Sequence, residues 1–458
     1  MPSPMISLSS VPPELLGTDP DHPAEPLIVL CTFGTGGDLY PFLRLARGLQ
    51  ERGRRTLLLI PRFHETRVRD SGLAYLAYGT QEQSQAVLDE PDLWDERKGF
   101  GVVWRGLLPS AQVVHELMAA LPKALPCVVL SHPFMVPLAA LARSSRPDLR
   151  IVGAYLAPAS LRTVHDPLTM GSLQMPRWVP LSWRRALWRT IDRFWIDPDL
   201  LPGLNAARAV HGLAPVASFL PHMQAACDAS VGLFPSWYAG RQPDWPETFV
   251  EGQFPLPPSQ GTLASELEAF LAAGPAPIAF TPGTGHRHAA RYFADALSVL
   301  QALGRRGLFI TPYADQLPHP LPPGVQWQAS APFEVLLPRL AMLVHHGGIG
   351  TTAEALRAGI PQLVMPYAFD QFDNGMRVQH LGSGTVLPAA KANARRMRRQ
   401  IAALLARTNE QGPAAGSRGS NFEPGLERLL DSVEQAVAGR QSSFELQRSA
   451  QRPAPLPS

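Results

Sequence analysis

One pattern, used twice, constrains this chain most: an apolar run that ends in a glycine turn and a helix. Residues 26–33 (Pro26-Leu27-Ile28-Val29-Leu30-Cys31-Thr32-Phe33) show no polar–apolar alternation. A strand with that pattern is buried on both faces, the habit of parallel sheets covered by helices. Gly34-Thr35-Gly36-Gly37-Asp38 follows, and residues 41–50 have helical spacing. Gly53 closes that helix and 55–60 read as the next strand, with more strands at 127–131 and 151–155. The arrangement returns later in the chain. Strand 278–281 precedes Gly283-Thr284-Gly285 and a helix over 291–303, and 307–311, 325–329, 341–345 and 362–366 read as strands. Gly347-Gly348-Ile349-Gly350 leads into a helix over 351–358, which Gly359 ends. The predicted fold class is α/β, with two Rossmann-like domains facing across a cleft, where such sheets bind ligands.

The expected boundaries follow from composition along the chain. Residues 1–25, rich in Pro, Ser and Asp, read as a flexible leader and 26–234 as the N-terminal domain. The turn-rich stretch with Pro235, Pro243, Pro246, Pro255, Pro257 and Pro258 places a linker at 235–276. The C-terminal domain is then 277–440, and 441–458 a disordered tail. Apolar residues make up 45% and charged residues 17%, which excludes a wholly disordered chain. A net charge of +3 leaves no basic footprint for nucleic acid. Cys31, Cys127 and Cys227 are too scattered for a zinc site or disulfide framework. No apolar stretch is long enough for a membrane span, and the start lacks the basic-then-apolar order of a signal peptide. A cytoplasmic enzyme is the expectation, with no obligate protein partner.

The stretch 345–374, HHGGIGTTAEALRAGIPQLVMPYAFDQFDN, carries the most chemistry. A strand delivers two histidines and a glycine turn to a helix N-terminus, whose free N–H groups and dipole suit a diphosphate. Thr351 and Thr352 add hydroxyls, and Glu354, one turn further in, can accept from a ribose. Asp370-Gln371 follows the next strand and offers sugar hydroxyls both acceptors and donors. Alternation along the strand lets only one of His345 and His346 face the cleft, and the sequence leaves open which.

In order and spacing this stretch resembles the donor-binding signature of the inverting, two-domain nucleotide-sugar glycosyltransferases of the GT-B type. The matching residues are His346, Gly348, Thr351, Glu354, Gly359-Ile360-Pro361, Pro366 and Asp370-Gln371. The resemblance implies diphosphate contact for His346, Gly350 and Thr351, ribose contact for Glu354, and donor-sugar contact for Asp370 and Gln371. It extends phosphate contact to Gly283 and Thr284. Residues 34–41 resemble the Gly-[Thr/Ser]-x-Gly-Asp-x-x-Pro loop of bacterial natural-product and sterol glycosyltransferases. That implies Asp38 as the base that takes the acceptor proton; the plainer alternative is an N-cap for a helix beginning near Leu39. Asp92-Leu93-Trp94-Asp95, residues 234–238 and Asp370-Gln371-Phe372-Asp373-Asn374 are similar to the rhamnosyltransferases of rhamnolipid synthesis.

Over residues 182–195 (SWRRALWRTIDRFW), Trp183, Leu187, Trp188, Ile191, Phe194 and Trp195 read as one face and Arg184, Arg185, Arg189 and Arg193 as the other. The first expectation is an apolar face on the core and arginines in water; a lid on an acceptor pocket or a lipid surface also suits it. Asp19-Pro20-Asp21 and Asp197-Pro198-Asp199 are rejected as a metal site, and His286 and His288 are expected to be exposed. Trp94, Phe100, Trp104, Phe134, Met135, Trp178, Trp183, Trp188, Phe194, Trp195 and Trp237 are the expected source of an apolar acceptor pocket.

The resemblance therefore implies transfer of a hexose from a nucleotide sugar, used as co-substrate without metal or other cofactor, to a hydroxyl of a hydrophobic, lipid-like acceptor. L-Rhamnose from dTDP-rhamnose is the leading donor, and peripheral contact with the inner face of a membrane is kept open. One alternative is a UDP-glucose-dependent transferase acting on a sterol, flavonoid or macrolide-like acceptor. The other is a non-catalytic relative that binds a partner.

Overall fold

The computed structural model describes residues 11–17, 25–166, 169–258, 261–411, 422 and 425–438. Two wholly parallel sheets dominate it. In the first the spatial order is Tyr75–Tyr78, Thr56–Pro61, Leu27–Cys31, Cys127–Ser131, Arg150–Tyr155, Ala229–Gly232 and Phe249–Val250. In the second it is Val325–Gln328, Gly307–Ile310, Ile278–Thr281, Met342–His345, Gln362–Val364 and Gly384–Val386.

The unbroken apolar runs are explained by two-sided burial. Leu27, Val29 and Cys31 belong to one core layer, while Ile28 and Leu30 belong to the layer on the opposite face. The second sheet repeats this, with Ile278 and Phe280 on one side and Ala279 on the other. A period of two splits each run between two helical covers. In both sheets the chain order reverses beside the opening strand, between Leu27–Cys31 and Cys127–Ser131, and between Ile278–Thr281 and Met342–His345. Ligand crevices form at the carboxyl ends of strands at such reversals.

The boundaries depart from expectation in three places. Within the supposed leader, Pro13–Leu16 is a short helix and Val11 is buried, because Arg55 donates to the carbonyls of Glu14 and Gly17 and ties the segment down. Within the supposed linker, Phe249–Val250 pairs with Ala229–Gly232, and Ser265–Ala272 packs on the second sheet through Leu267 and Leu271. Near the end, the helix Gly425–Ala438 leaves the second domain and covers the first. Leu429, Leu430 and Val433 join the core layer of Ile28 and Leu30, where that sheet would otherwise expose apolar surface. The expected tail at 441–458 lies outside the described residues.

The arginine–tryptophan helix meets the sequence expectation in part: Leu187, Trp188 and Ile191 pack on the core and Arg185, Arg189 and Arg193 are exposed, but four residues depart from it. Arg184 is buried and donates to five carbonyls, those of Val164, His165, Pro176, Arg177 and Val179. Trp183, Phe194 and Trp195 stand in solvent. A π-helical turn over Asp192–Ile196 breaks the 3.6 period on which that expectation rested.

Candidate functional site

Each motif loop leaves a strand at one of the two chain reversals. On the first sheet the loop after Cys31 runs into the helix Gly36–Glu51, so the helix begins before Leu39 and Asp38 stands in its first turn, with Thr35 as N-cap. The Asp38 carboxylate reaches back to accept from the Thr35 N–H at 2.8 Å. Gly34 makes this possible. Its φ is +80°, and a Cβ there would meet Asp38 Oδ2 at 2.3 Å. His64 Nε2 lies 2.9 Å from the Gly34 carbonyl and pins the loop from behind.

The other Asp38 oxygen faces His132, which directly follows the strand Cys127–Ser131. His132 Nδ1 accepts from the Phe134 N–H at 3.2 Å, which leaves the ring proton on Nε2, 3.7 Å from Asp38 Oδ1. Burial lowers the His132 pKa to about 3, so the ring is neutral, and burial raises that of Asp38 to about 6.

On the second sheet the two histidines part. His345 is fully buried, with Nε2 3.0 Å from Gln362 Oε1 and Nδ1 accepting from the Gly347 N–H at 3.2 Å. It braces the turn from inside and has no face on the cleft, which removes it from the donor-binding set. His346 lines the cleft, its Nδ1 without a hydrogen-bond partner. Its ring lies between Gly283 and Gly348, where added Cβ atoms would meet it at 2.8 and 2.5 Å. The following helix, Ile349–Ala358, has Gly348 as N-cap, no side-chain cap and no acidic residue in its first turn. Its first N–H groups have no partner within the helix, and with the dipole they favour an anion.

Glu354 is bound by Arg357 at 2.5 Å. Burial raises its pKa to about 7 against the pull of Arg357 and Arg44. Asp370 is raised to about 7, first by burial and further by the charge of Asp38 across the cleft. Gln371 spends its carbonyl on the N–H groups of Tyr367 and Ala368, at 2.8 and 3.2 Å.

Asp38, Gly283, Thr284, His346, Gly348, Gly350, Thr351, Glu354, Asp370 and Gln371 all line one cavity of about 820 Å³ between the domains. The cavity is also lined by Trp94, Phe100, Phe134 and Trp188, with Phe100 stacked on Phe134 at 5.5 Å. The other expected pocket side chains lie elsewhere. Trp104 and Met135 are core, Trp237 packs on Phe254 and Phe422, and Trp178, Trp183, Phe194 and Trp195 are exposed. His288 is exposed, but His286 is buried against Tyr367 and Trp94, with ring centroids 4.2 and 5.4 Å apart. Asp197 accepts from the Phe219 N–H at 2.8 Å, a structural duty.

Three site residues were not assigned roles from sequence. His132 had a findable signal, since it follows a strand at a chain reversal just as Asp38 does. Asn374 donates to Asp370 Oδ2 at 2.7 Å and to the Gly347 carbonyl at 2.9 Å, and accepts from the Tyr238 hydroxyl at 3.0 Å. Phe369 has φ 58°, rare for a non-glycine residue, and packs across the cleft on Trp94 and Phe100.

Residues 28–130 match the glycosyltransferase family 28 N-terminal domain, and residues 310–418 match the erythromycin biosynthesis protein CIII-like C-terminal domain. The O-mycaminosyltylonolide 6-deoxyallosyltransferase of Streptomyces fradiae is 28% identical over 403 residues, 85% of this chain and 91% of its own. Among solved structures, a spinosyn forosaminyltransferase superposes with TM-score 0.63 at 20% identity, covering 90% of this chain and 99% of its own. A spinosyn rhamnosyltransferase complexed with thymidine diphosphate gives 0.56 at 18%, covering 91% and 100%. The fold is that of the GT-B glycosyltransferases.

Proposed function

We propose that this nucleotide-sugar glycosyltransferase moves a hexose to a hydroxyl of a hydrophobic, lipid-like acceptor in a single inverting displacement. One observation carries the reading: the Asp38 carboxylate and an uncapped helix N-terminus line one cavity, which also holds an apolar patch of Phe100, Phe134 and Trp188. The acceptor's chain would lie against Phe100, Phe134 and Trp188, with its hydroxyl at Asp38. Asp38 takes the hydroxyl proton as the oxygen attacks the anomeric carbon, and the bond from that carbon to the diphosphate oxygen breaks. The departing charge is received by the N–H groups that open the helix Ile349–Ala358 and by neutral His346, whose pKa burial lowers to about 3. Asp370 and the amide NH₂ of Gln371 hold the sugar, and Glu354 the ribose. Gly283 and Thr284 close over the phosphates.

dTDP-rhamnose is the donor we favour, as the motif resemblance to rhamnolipid rhamnosyltransferases suggests, in a cytoplasmic setting at the inner face of a membrane. The second reading, UDP-glucose with a macrolide-like acceptor, draws on the likeness to the tylonolide-derivative transferase. A panel of dTDP-rhamnose against UDP-glucose, each with hydroxyacyl and polycyclic acceptors and scored by product mass, decides between them. Donor binding with neither transfer nor hydrolysis would favour a non-catalytic relative. Turnover is expected to survive EDTA, because the helix N-terminus and His346 meet the leaving charge; loss on EDTA with rescue by magnesium would defeat that part.

A further inference from the structure

The segment 173–195 carries an unusual surface. Of the large apolar side chains exposed among the described residues, Leu173, Trp178, Leu181, Trp183, Phe194 and Trp195 all fall within it, and Trp178 is 81% and Trp183 70% exposed. Arg177, Arg185, Arg189 and Arg193 are exposed between them. No carboxylate from 171 to 196 faces water, since Asp192 is buried and clamped by Arg162 at 2.6 Å. Arg97 lies over the Trp195 ring at 5.1 Å and Arg193 over that of Phe194 at 5.6 Å.

We propose that this surface docks on an anionic lipid bilayer and holds the acceptor side of the cleft against it. The chemistry of the surface argues for lipid. Tryptophan and arginine each join an apolar body to a polar end, as the boundary between headgroups and acyl chains requires. The segment's own exposed charge is of one sign, with Glu96 at its edge accepting from the Ser172 N–H at 3.1 Å, and it complements anionic headgroups better than the mixed charges of a protein partner. The exposed aromatics are also not owed to the core, because Ile191, Ile196 and the carbonyls held by Arg184 already fill that side.

Position supplies the second argument. The same helix, Leu181–Ile191, presents Trp188 to the cavity, and Gly171 and Ile196 line it too. One element therefore has water on one face and the acceptor pocket on the other. Resting on the lipid-like acceptor reading, this gives the acceptor a route from bilayer to Asp38 that avoids bulk water.

The test uses the full chain without donor or acceptor, so it does not depend on which substrate proves correct. It is floated with vesicles of phosphatidylcholine alone, or with about one-third phosphatidylglycerol. Binding is expected on the anionic vesicles, falling with added salt, and a Trp178→Ser/Trp183→Ser/Phe194→Ser variant is expected to lose at least about tenfold. Each of Arg185, Arg189 and Arg193 changed to Gln is expected to cost roughly fivefold. Unchanged melting temperature and unchanged turnover on a water-soluble short-chain acceptor would show that the variants are intact. A parent chain that ignores both vesicles, or a triple variant that floats as well as the parent, overturns the proposal. So does a chain that ignores vesicles but self-associates through these aromatics.

Discussion

The two domains open with the same device and finish it differently. In the first, strand Leu27–Cys31 feeds the helix Gly36–Glu51, whose third residue is Asp38. In the second, strand Met342–His345 feeds the helix Ile349–Ala358, whose third residue is Thr351. The first helix carries its own anion, bound to the Thr35 N–H. The second carries none and leaves its N–H groups to the cavity. A single geometry thus presents a carboxylate on one side and free N–H groups on the other, according to whether one acidic residue is present.

Removing the first anion is expected to have the largest effect. Asp38→Asn keeps an oxygen for the Thr35 N–H, so the helix should stand, while turnover falls by on the order of 10²–10⁴ with nucleoside diphosphate affinity unchanged. Near-normal turnover would reduce Asp38 to a helix-stabilising residue. Giving the second helix what the first has, Thr351→Asp, should erase the contrast. A carboxylate about 5 Å from a diphosphate costs roughly 3 kcal/mol per unit charge at an effective dielectric of 20, or about 10² in affinity. Titration calorimetry with the free nucleoside diphosphate reads this directly.

Glu354→Ala tests the next turn of the same helix. At pH 8, above its raised pKa of about 7, loss of this ionised ribose acceptor should weaken nucleoside diphosphate binding by about 10–150-fold, and an unchanged dissociation constant removes Glu354 from the site. The smallest effects are those of pH. Burial raises Asp38 to about 6 and Asp370 to about 7, above the ordinary 3.8. Both are ionised only above those values, so kcat/KM should fall as pH drops through 7 and then 6. Stability runs the other way. A carboxylate with a raised folded-state pKa favours the fold below 3.8, and that advantage is lost as pH rises through 6–7. Asp38→Asn should therefore melt higher than the parent at pH 8 and level with it at pH 4.

How far such contrasts could be read from sequence depended on burial. Strands buried on both faces announce themselves as unbroken apolar runs, so Leu27–Cys31 and Ile278–Thr281 were legible. Tyr75–Tyr78, at a sheet edge and buried only at alternate residues, was not, nor was two-residue Phe249–Val250. The glycine turns were legible because their chemistry is local. The choice between His345 and His346 was not, since it depends on which neighbouring strand brings Gln362. The arginine–tryptophan helix was legible at Leu187, Ile191, Arg185 and Arg189 but not at Arg184, Phe194 or Trp195, where buried carbonyls and a π turn decide.

The returning helix Gly425–Ala438 has a consequence in time. It packs so closely on the helix of Asp38 that a Cβ on Gly48 would meet Leu430 Cδ1 at 2.6 Å. Arg52, at the far end of that helix, is held by Glu427, Asp431 and Glu434. A helix that braces the far end of the Asp38 helix is thus made only after the second domain's strands. A chain without residues 425–438 would leave the core layer of Leu45 and Leu49 without this cover. A nascent chain stalled before residue 425 would present that apolar surface to chaperones.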